Sequence, residues 1–234
     1  IKHHLIDVVA PDQEFSVADF QRRARIIITE IIQRKHLPLM VGGTGLYINS
    51  IVDNFDFTEI ETDWEFRHNL QKIAEEKGNA YLHRQLQMVD PETAAKVHEN
   101  DRRRVIRALE VYHKTGKPIS HYQAISRLQP SPYRLLMFGL TMPRDLLYQR
   151  VEARIEKMLA DGLVDEVRRL LAEGYDPSLV SMQGLGYKEI AGFLLGKSSY
   201  EEAVALLKKN TRHFVKRQLT WFRRDQRIIW LDLT

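Results

Sequence analysis

The stretch LPLMVGGTGLYINSIV, residues 37–52, decides how this chain is expected to fold. The apolar run 37–41 predicts a buried strand, Gly42 and Gly43 a turn, and Thr44 the N-cap of a following helix. Strand, glycine turn and helix N-terminus together can bind an anion, because free backbone N–H groups and the helix dipole point the same way. An ordinary strand-to-helix turn is the alternative, and this stretch taken alone favours it.

The residues before this stretch predict a β-α-β unit. Residues 1–9, IKHHLIDVV, favour a first strand, and a helix is expected from about Ser16, with Ser16 and Asp19 forming a capping box. We therefore expect two parallel strands joined by a right-handed crossover. The apolar positions of the crossover helix recur at helical spacing: Phe20, Ala24, Ile27, Ile28 and Ile31.

The middle of the chain changes character and predicts a helical insertion. We expect an α/β core with a parallel sheet over 1–58 and 126–234, and a helical insertion subdomain over 59–125. Gly78 and Gly116 suit helix C-caps, and Pro91 suits the first position of a helix. After the insertion, YRLLMFGLTMP and RIIWLDL predict two further strands with helices between them. The helices of the insertion are predicted at 63–78, 79–89, 91–98 and 102–116.

Composition is that of an ordinary globular protein and limits the function classes. Of 234 residues, 44% are hydrophobic and 28% charged, and no apolar run approaches the ~20 residues that span a bilayer. The absence of Cys excludes a disulfide scaffold and a Cys-based zinc site, and the 9 histidines show no metal-ligand spacing. We expect a cytoplasmic protein with no membrane partner and no metal ligands among these residues.

A first basic stretch, NDRRRVIRALEVYHKTGK, is predicted to be helical. Arg103 and Arg107 stand i,i+4 and share one face, Arg104 lies beside them, and Ile106 and Leu109 face a core. A phosphate-binding stripe and a solvated basic face explain this pattern equally well, although guanidinium groups suit phosphate.

A second basic stretch, NTRHFVKRQLTWFRRD, interleaves cations with aromatic residues. Such a helix can bind single-stranded nucleic acid, because bases stack on rings while phosphates pair with charges. The alternative is that the aromatic residues are core and the charges solvated. We expect core positions for Phe214 and Phe222 and favour a binding role for the arginines: Arg212, Arg217, Arg223 and Arg224, with Lys216 beside them.

Several segments, in this order, resemble the tRNA dimethylallyltransferase family, also called tRNA isopentenyltransferases. The resemblance implies a P-loop-type α/β core with a helical insertion. It implies transfer of a dimethylallyl group from dimethylallyl diphosphate to N6 of adenosine 37, which lies beside the tRNA anticodon. It also implies that Mg2+ assists the reaction and that a channel through the core receives the flipped base. The matching segments are HHLIDVVAPDQEFSVADF, LPLMVGGTGLYINSIVDNF, NDRRRVIRALEVYHKTGKP, LLYQRVEARIEKMLADGLVDEV, MQGLGYKEIAGFLLGK and TRHFVKRQLTWFRRD.

The resemblance further implies a P-loop and a short motif whose Asp is the general base toward N6. Both motifs precede the segment that matches Ile1. The sequence contains no G-x-x-x-x-G-K-S/T motif and opens at Ile1 without Met. We therefore expect a family member that lacks its N-terminal part, which would carry the diphosphate cradle and the general base. Without that part, we expect the chain to be inactive.

Carried over residue by residue, the resemblance gives candidate site residues. Thr44 corresponds to a channel threonine near the adenine, and either Arg150 or Arg154 is the candidate facing the diphosphate. Gln183 and Lys188 depart from the arginine of some members. The positions that correspond to tRNA contacts are Arg67, Arg103, Arg104, Arg107, Gln183, Gly184, Gly186, Tyr187 and Lys188.

Two other functions remain open on the sequence. An adenylate isopentenyltransferase would use a free nucleotide as acceptor, but a mononucleotide needs neither the large insertion nor the basic helix near Arg103. A non-catalytic RNA-binding remnant would keep the basic surfaces and lack the chemistry. The expected partners are the tRNA anticodon stem-loop and dimethylallyl diphosphate, and we expect a monomer.

Overall fold

The structure of the chain, a computed structural model, describes residues 1–53, 55, 62–128 and 130–234, with the backbone alone at 127 and 128. None of the helices in these ranges is long and apolar enough to cross a membrane. The elements, in chain order, are α1 (Val17–Gln33), α2 (Gly45–Val52), α3 (Trp64–Lys77), α4 (Asn79–Val89), α5 (Pro91–Ala94), α6 (Arg102–Thr115), α7 (Ile119–Leu128), β1 (Met137–Thr141), α8 (Arg144–Ala160), α9 (Leu163–Ala172), α10 (Tyr187–Leu194), α11 (Tyr200–Phe222) and β2 (Ile228–Asp232).

The chain divides into two compact units. The sheet unit comprises Ile1–Ile48 and Leu135–Thr234, and the helical unit comprises Asn49–Arg134. The predicted boundary between 58 and 59 lies outside the described residues. The predicted boundary between 125 and 126 would cut α7, whereas the division follows residue 134, where that helix has already ended.

The helical unit forms a core of its own. α4 packs against α3, α5 and α6 around Leu82, Leu86 and Val105, all fully buried. Its helix ends follow the sequence: the Asp63 side chain accepts a hydrogen bond from the Phe66 N–H, and Gly116 closes α6 in the left-handed conformation. The predicted helices 63–78, 79–89 and 102–116 are confirmed, as are the caps Gly78 and Gly116 and Pro91 at the start of α5. The helix predicted over 91–98 is shorter, because α5 ends at Ala94.

The sheet unit combines one parallel strand pair with a helical core. β1 and β2 pair in parallel, with Met137 opposite Ile228 and Thr141 opposite Asp232. A second core, between α8, α9, α10 and α11, contains the fully buried Val167 and Ile190. The two strands predicted after the insertion are confirmed, and the fold is of the α/β class, mostly helical with a small parallel sheet.

Helix α1 begins where its capping residues predict. The Ser16 hydroxyl accepts a hydrogen bond from the Asp19 N–H at 3.1 Å, and Asp19 accepts one from the Ser16 N–H at 3.0 Å. The predicted capping box is therefore confirmed.

Farther along α1, the Phe20 ring stacks on the Tyr47 ring of α2, with 4.3 Å between the ring centroids. This contact joins α1 to α2.

The β-α-β unit predicted around α1 is wrong in its strands. Leu5 and Asp7 adopt positive φ angles of 62° and 51°, which interrupt an extended strand. Residues 37–41 run without regular structure, and Leu37, Leu39 and Val41 are largely exposed. An apolar run forms a strand only beside a hydrogen-bonding neighbour. Within the described residues, the one ladder is that between β1 and β2.

Candidate functional site

The glycine turn before α2 lies against the last turns of α11. The carbonyl oxygen of Gly43 accepts a hydrogen bond from Gln218 Nε2 at 2.9 Å. A Cβ placed on Gly45 would lie 2.3 Å from Trp221 Nε1, so only glycine fits beside that indole. Thr44 stands between these two contacts and is exposed, while its carbonyl accepts the Ile48 N–H at 3.1 Å. The turn thus presents the Thr44 side chain from a backbone held on both sides.

The basic stretch of α11 is partly engaged within the sheet unit. Arg212 Nη1 donates a 2.9 Å hydrogen bond to Glu152 of α8, and the Arg217 guanidinium lies 5.8 Å from the centre of the Phe214 ring. Phe214 is 36% exposed, so its predicted core position is wrong: its ring packs under a cation at the surface. Phe222 is half-buried. The helix therefore offers exposed aromatic surface together with charge.

The two candidate diphosphate arginines lie on the outer side of α8. Arg150 and Arg154 are both exposed, whereas the neighbouring Ile155 is buried in the core. α8 is held to α11 by Glu152 with Arg212 and by the ion pair of Glu156 with Lys208. Exposure leaves both candidates accessible to an anion.

The loop from Gln183 to Lys188 is organised by a buried carboxylate. Glu189 accepts hydrogen bonds from the Gly186 N–H at 2.9 Å and from Asn210 Nδ2 of α11 at 2.8 Å. Lys188 Nζ lies 3.6 Å from the same side chain, and Gly186 has a φ of +98°, which favours glycine. Glu189 thereby fixes the start of α10 against α11.

Two polar side chains of this loop make further local contacts. The Tyr187 hydroxyl donates a 2.5 Å hydrogen bond to Glu166, and Gln183 Nε2 donates one of 2.8 Å to the Pro177 carbonyl. Burial, together with the hydrogen bond and the charge of Glu166, raises the pKa of Tyr187 to about 12. Tyr187 is therefore neutral across the physiological pH range.

The helical unit brings two of its candidate arginines to a single carboxylate. Arg67 Nε and Nη2 donate to the two oxygens of Glu110 at 2.9 and 2.8 Å, and Arg107 Nη1 donates at 2.5 Å. The Asp63 N–H completes the set at 2.8 Å. Burial alone would raise the pKa of Glu110, but these hydrogen bonds outweigh it, so the pKa lies below its ordinary value.

The other arginines of α6 lie outside this cluster. Arg103 is exposed, and Arg104 Nε lies 3.3 Å from Asp101, the residue that caps the helix. Ile106 and Leu109 are buried, as predicted. The structure therefore divides the predicted basic stripe: Arg107 is fixed at Glu110 beside Arg67, whereas Arg103 and Arg104 are surface side chains.

Sequence reasoning missed the carboxylates and the glutamine that hold these groups in place. The position of Glu110 could have been predicted. It follows Ile106 by four positions, so it lies on the same, buried face of α6. Glu189 and Gln218 gave no such signal, since their partners lie far along the chain.

The described residues hold no cluster of side chains suited to a metal ion. Among them, no three His, Asp or Glu side chains lie together where they can hold a metal ion. The carboxylates at the candidate sites are instead occupied by cations and N–H donors, as Glu110 and Glu189 show.

Solved structures share this architecture. The tRNA isopentenylpyrophosphate transferase of Bacillus halodurans superposes with a TM-score of 0.68 at 44% identity, covering 99% of this chain and 72% of that one. A eukaryotic dimethylallyltransferase, solved acting on tRNA, gives a TM-score of 0.77 at 27% identity, over 100% of this chain and 60% of that one. The fold is thus that of the tRNA isopentenyltransferases.

Sequence comparison makes the assignment specific. The tRNA dimethylallyltransferase of Carboxydothermus hydrogenoformans is 54% identical over 232 residues, 99% of this chain and 74% of that protein. That of Moorella thermoacetica is 55% identical over 233 residues, 100% of this chain and 72% of that protein. The family model described as IPP transferase matches residues 1–225. The chain belongs to this IPP transferase family.

Proposed function

We propose that this chain belongs to a tRNA dimethylallyltransferase, with adenosine 37 of tRNA as acceptor and dimethylallyl diphosphate as donor. One observation carries the proposal: its relatives of that name align with nearly the whole chain at more than half identity. The geometry adds two features suited to RNA, the arginine cluster of the helical unit and the exposed aromatic and basic end of α11.

The proposed reaction forms a bond between adenine N6 and the allylic carbon. The carbon–oxygen bond to the diphosphate breaks, diphosphate leaves with the electron pair, and N6 loses one proton. Thr44 is proposed to contact the adenine, because its turn is fixed by Gln218 and Trp221 while its side chain is exposed. Arg150 or Arg154 is proposed to face the leaving diphosphate, where an exposed guanidinium can bind developing negative charge.

Each unit contains residues that are proposed to contact tRNA. In the helical unit, Arg67, Arg103, Arg104 and Arg107 supply guanidinium groups for phosphates of the anticodon stem-loop. In the sheet unit, the loop from Gln183 to Lys188 is proposed to contact the RNA, and its glycines Gly184 and Gly186 would allow close backbone approach. We propose that the protein works as a monomer, in the cytoplasm, where its substrate tRNA is processed.

Two parts of the chemistry are not assigned to these residues. The sequence has no G-x-x-x-x-G-K-S/T motif, so none of the 234 residues is proposed as diphosphate cradle or as general base. Mg2+, expected from the family, would neutralise charge on the diphosphate when bound, and the described residues hold no cluster of three His, Asp or Glu side chains for a metal ion. The 234-residue chain alone is accordingly expected to bind tRNA and to transfer little.

The test is an acceptor competition. The natural gene product is incubated with labelled dimethylallyl diphosphate, Mg2+ and equal concentrations of unmodified tRNA and AMP. We expect label in the tRNA. Label in AMP would establish the adenylate isopentenyltransferase instead, and tRNA binding without label in either acceptor would establish a non-catalytic RNA-binding protein.

A further inference from the structure

Glu110 is a buried charge that the proposed chemistry does not use. Its side chain has no solvent exposure, and its two oxygens accept four hydrogen bonds, from Arg67 twice, from Arg107 and from the Asp63 N–H. It is a buried residue of α6 like Val105 and Ile106, which belong to the apolar core of the helical unit.

Core packing does not explain this carboxylate. A buried ion pair rarely stabilises a fold more than apolar side chains of similar volume, because both charges lose their hydration. Asp90, a second buried carboxylate among the described residues of this unit, accepts hydrogen bonds from the uncharged donors of Thr93 and Ser120 and caps a helix. Glu110 differs, because two of its partners are guanidinium groups that reach the surface.

Both arginines keep donors that Glu110 does not occupy. The side chains of Arg67 and Arg107 are 26% and 37% exposed, and a guanidinium has five N–H donors. Arg67 uses two of them on Glu110 and Arg107 uses one. Two cations that would repel each other are therefore held at one carboxylate with a net charge of +1, and their remaining donors are available to an anion.

The surroundings of the pair suit RNA. The Arg67 guanidinium lies 5.4 Å from the centre of the Trp64 ring, and Trp64 is a large exposed aromatic at the start of α3. A fixed pair of guanidinium groups beside an exposed indole matches a phosphate followed by an unpaired base. A long side chain fixed in advance loses less entropy on binding than a free one.

We propose that Glu110 is a positioning residue for tRNA binding, which holds Arg67 and Arg107 together as one preorganised site for an RNA phosphate. This inference rests on the proposed function. It assigns to a buried acidic residue the task of orienting two basic ones, and it predicts that the two arginines act as a unit.

The first experiment measures the affinity of the natural gene product for its anticodon stem-loop before and after Glu110→Gln. We expect about a tenfold loss, the size of one charge-assisted hydrogen bond. Affinity for a scrambled RNA of equal length should not fall, because the substitution removes no cation. In steady state, KM for tRNA should rise while kcat is kept. Asp90→Asn is the matched control: it perturbs the same core and should leave the ratio of specific to scrambled affinity unchanged.

A double-mutant cycle separates positioning from general stability. If Glu110 acts through the arginines, Glu110→Gln should cost almost nothing further in an Arg67→Ala, Arg107→Ala background. The same tenfold loss in both backgrounds would overturn the proposal. Thermal melting of each variant measures its folded fraction.

Should Glu110→Gln fail to fold, Glu110→Asp keeps the charge and shortens the reach, so that it holds at most one guanidinium. We expect an intermediate loss of stem-loop affinity, and wild-type affinity in a folded Glu110→Asp variant would overturn the proposal. If the wild-type protein itself does not distinguish the stem-loop from scrambled RNA, the proposed function fails. If the wild-type protein does distinguish the two RNAs, and Glu110→Gln binds the stem-loop as tightly as the wild type, the proposal for Glu110 fails while the proposed function stands.

Discussion

Gln218 Nε2 donates a 2.9 Å hydrogen bond to the carbonyl oxygen of Gly43, across 175 positions of the chain. This bond and the close approach of Trp221 to Gly45 fix the turn that carries Thr44. A residue proposed to touch the reacting base has to be placed to within a fraction of an ångström. The contact between the end of α11 and the glycine turn provides that placement.

Gly45→Ala tests the close approach. The new Cβ would lie 2.3 Å from Trp221 Nε1, so the indole or the turn has to shift. We expect a loss of about 1–3 kcal/mol in the free energy of unfolding, typical of overpacking, and slower prenyl transfer. Chemical denaturation and the transfer assay measure both effects.

Gly42→Ala is its control, because a Cβ at Gly42 meets nothing within 4 Å. Its stability should stay within about 0.5 kcal/mol of the wild type, and its transfer rate should be unchanged. Equal behaviour of the two variants would contradict the proposed packing of the turn against Trp221.

The lowered pKa of Glu110 predicts a specific acid dependence of stability. Its folded-state pKa lies below the ordinary value of 4.5, so its contribution is complete above that pH and is lost as the pH falls through the folded value. Glu110→Gln should lower the free energy of unfolding at neutral pH by about 2 kcal/mol. Denaturation measured between pH 7 and pH 3 should show that the difference in free energy of unfolding between wild type and Glu110→Gln shrinks below pH 4.5. Parallel curves would be inconsistent with an ionised, paired Glu110.

The raised pKa of Tyr187 predicts that the stability of the fold decreases as the pH rises into the alkaline range. Its pKa is raised from 10.0 to about 12, so the folded protein keeps the proton after the unfolded chain has lost it. The contribution is complete below pH 10 and is lost as the pH rises through about 12. Tyr187→Phe should therefore flatten the loss of stability over this interval. A wild-type curve no steeper than that of the variant would exclude the hydrogen bond of Tyr187 to Glu166.

The salt dependence of tRNA binding tests the surface arginines of α6. If Arg103 contacts a phosphate, Arg103→Ala should reduce the slope of log affinity against log salt by about 0.7–0.9. Arg168→Ala is the comparison, because Arg168 is exposed on α9 and outside the proposed contacts. A slope that responds equally to both substitutions would mean that Arg103 contributes only to the overall charge.

Local patterns were sufficient where the structure depends on neighbours in sequence. The Ser16–Asp19 capping box and the glycine stop at Gly116 were predicted correctly, because each is completed within a few residues. The run 37–41 has equally clear strand composition, yet it forms no ladder with any described residue, because pairing depends on a distant segment.

The candidate sites show the same limit. The sequence singled out Arg67 and Arg107 through the family resemblance, but not the shared carboxylate that binds them, since Arg67 and Glu110 are 43 positions apart. Phe214 was expected in the core because aromatic residues usually are. Its exposure follows from the packing of α11 in the sheet unit, which helical spacing does not reveal.

The most direct test of the central claim is nucleoside analysis of an anticodon stem-loop after reaction with the natural gene product and dimethylallyl diphosphate. Two stem-loops are compared, one with adenosine 37 and one with guanosine at that position. The proposed function predicts dimethylallyl adenosine from the first and no modified nucleoside from the second. Equal modification of both, or none in either while the stem-loop is bound, would contradict it.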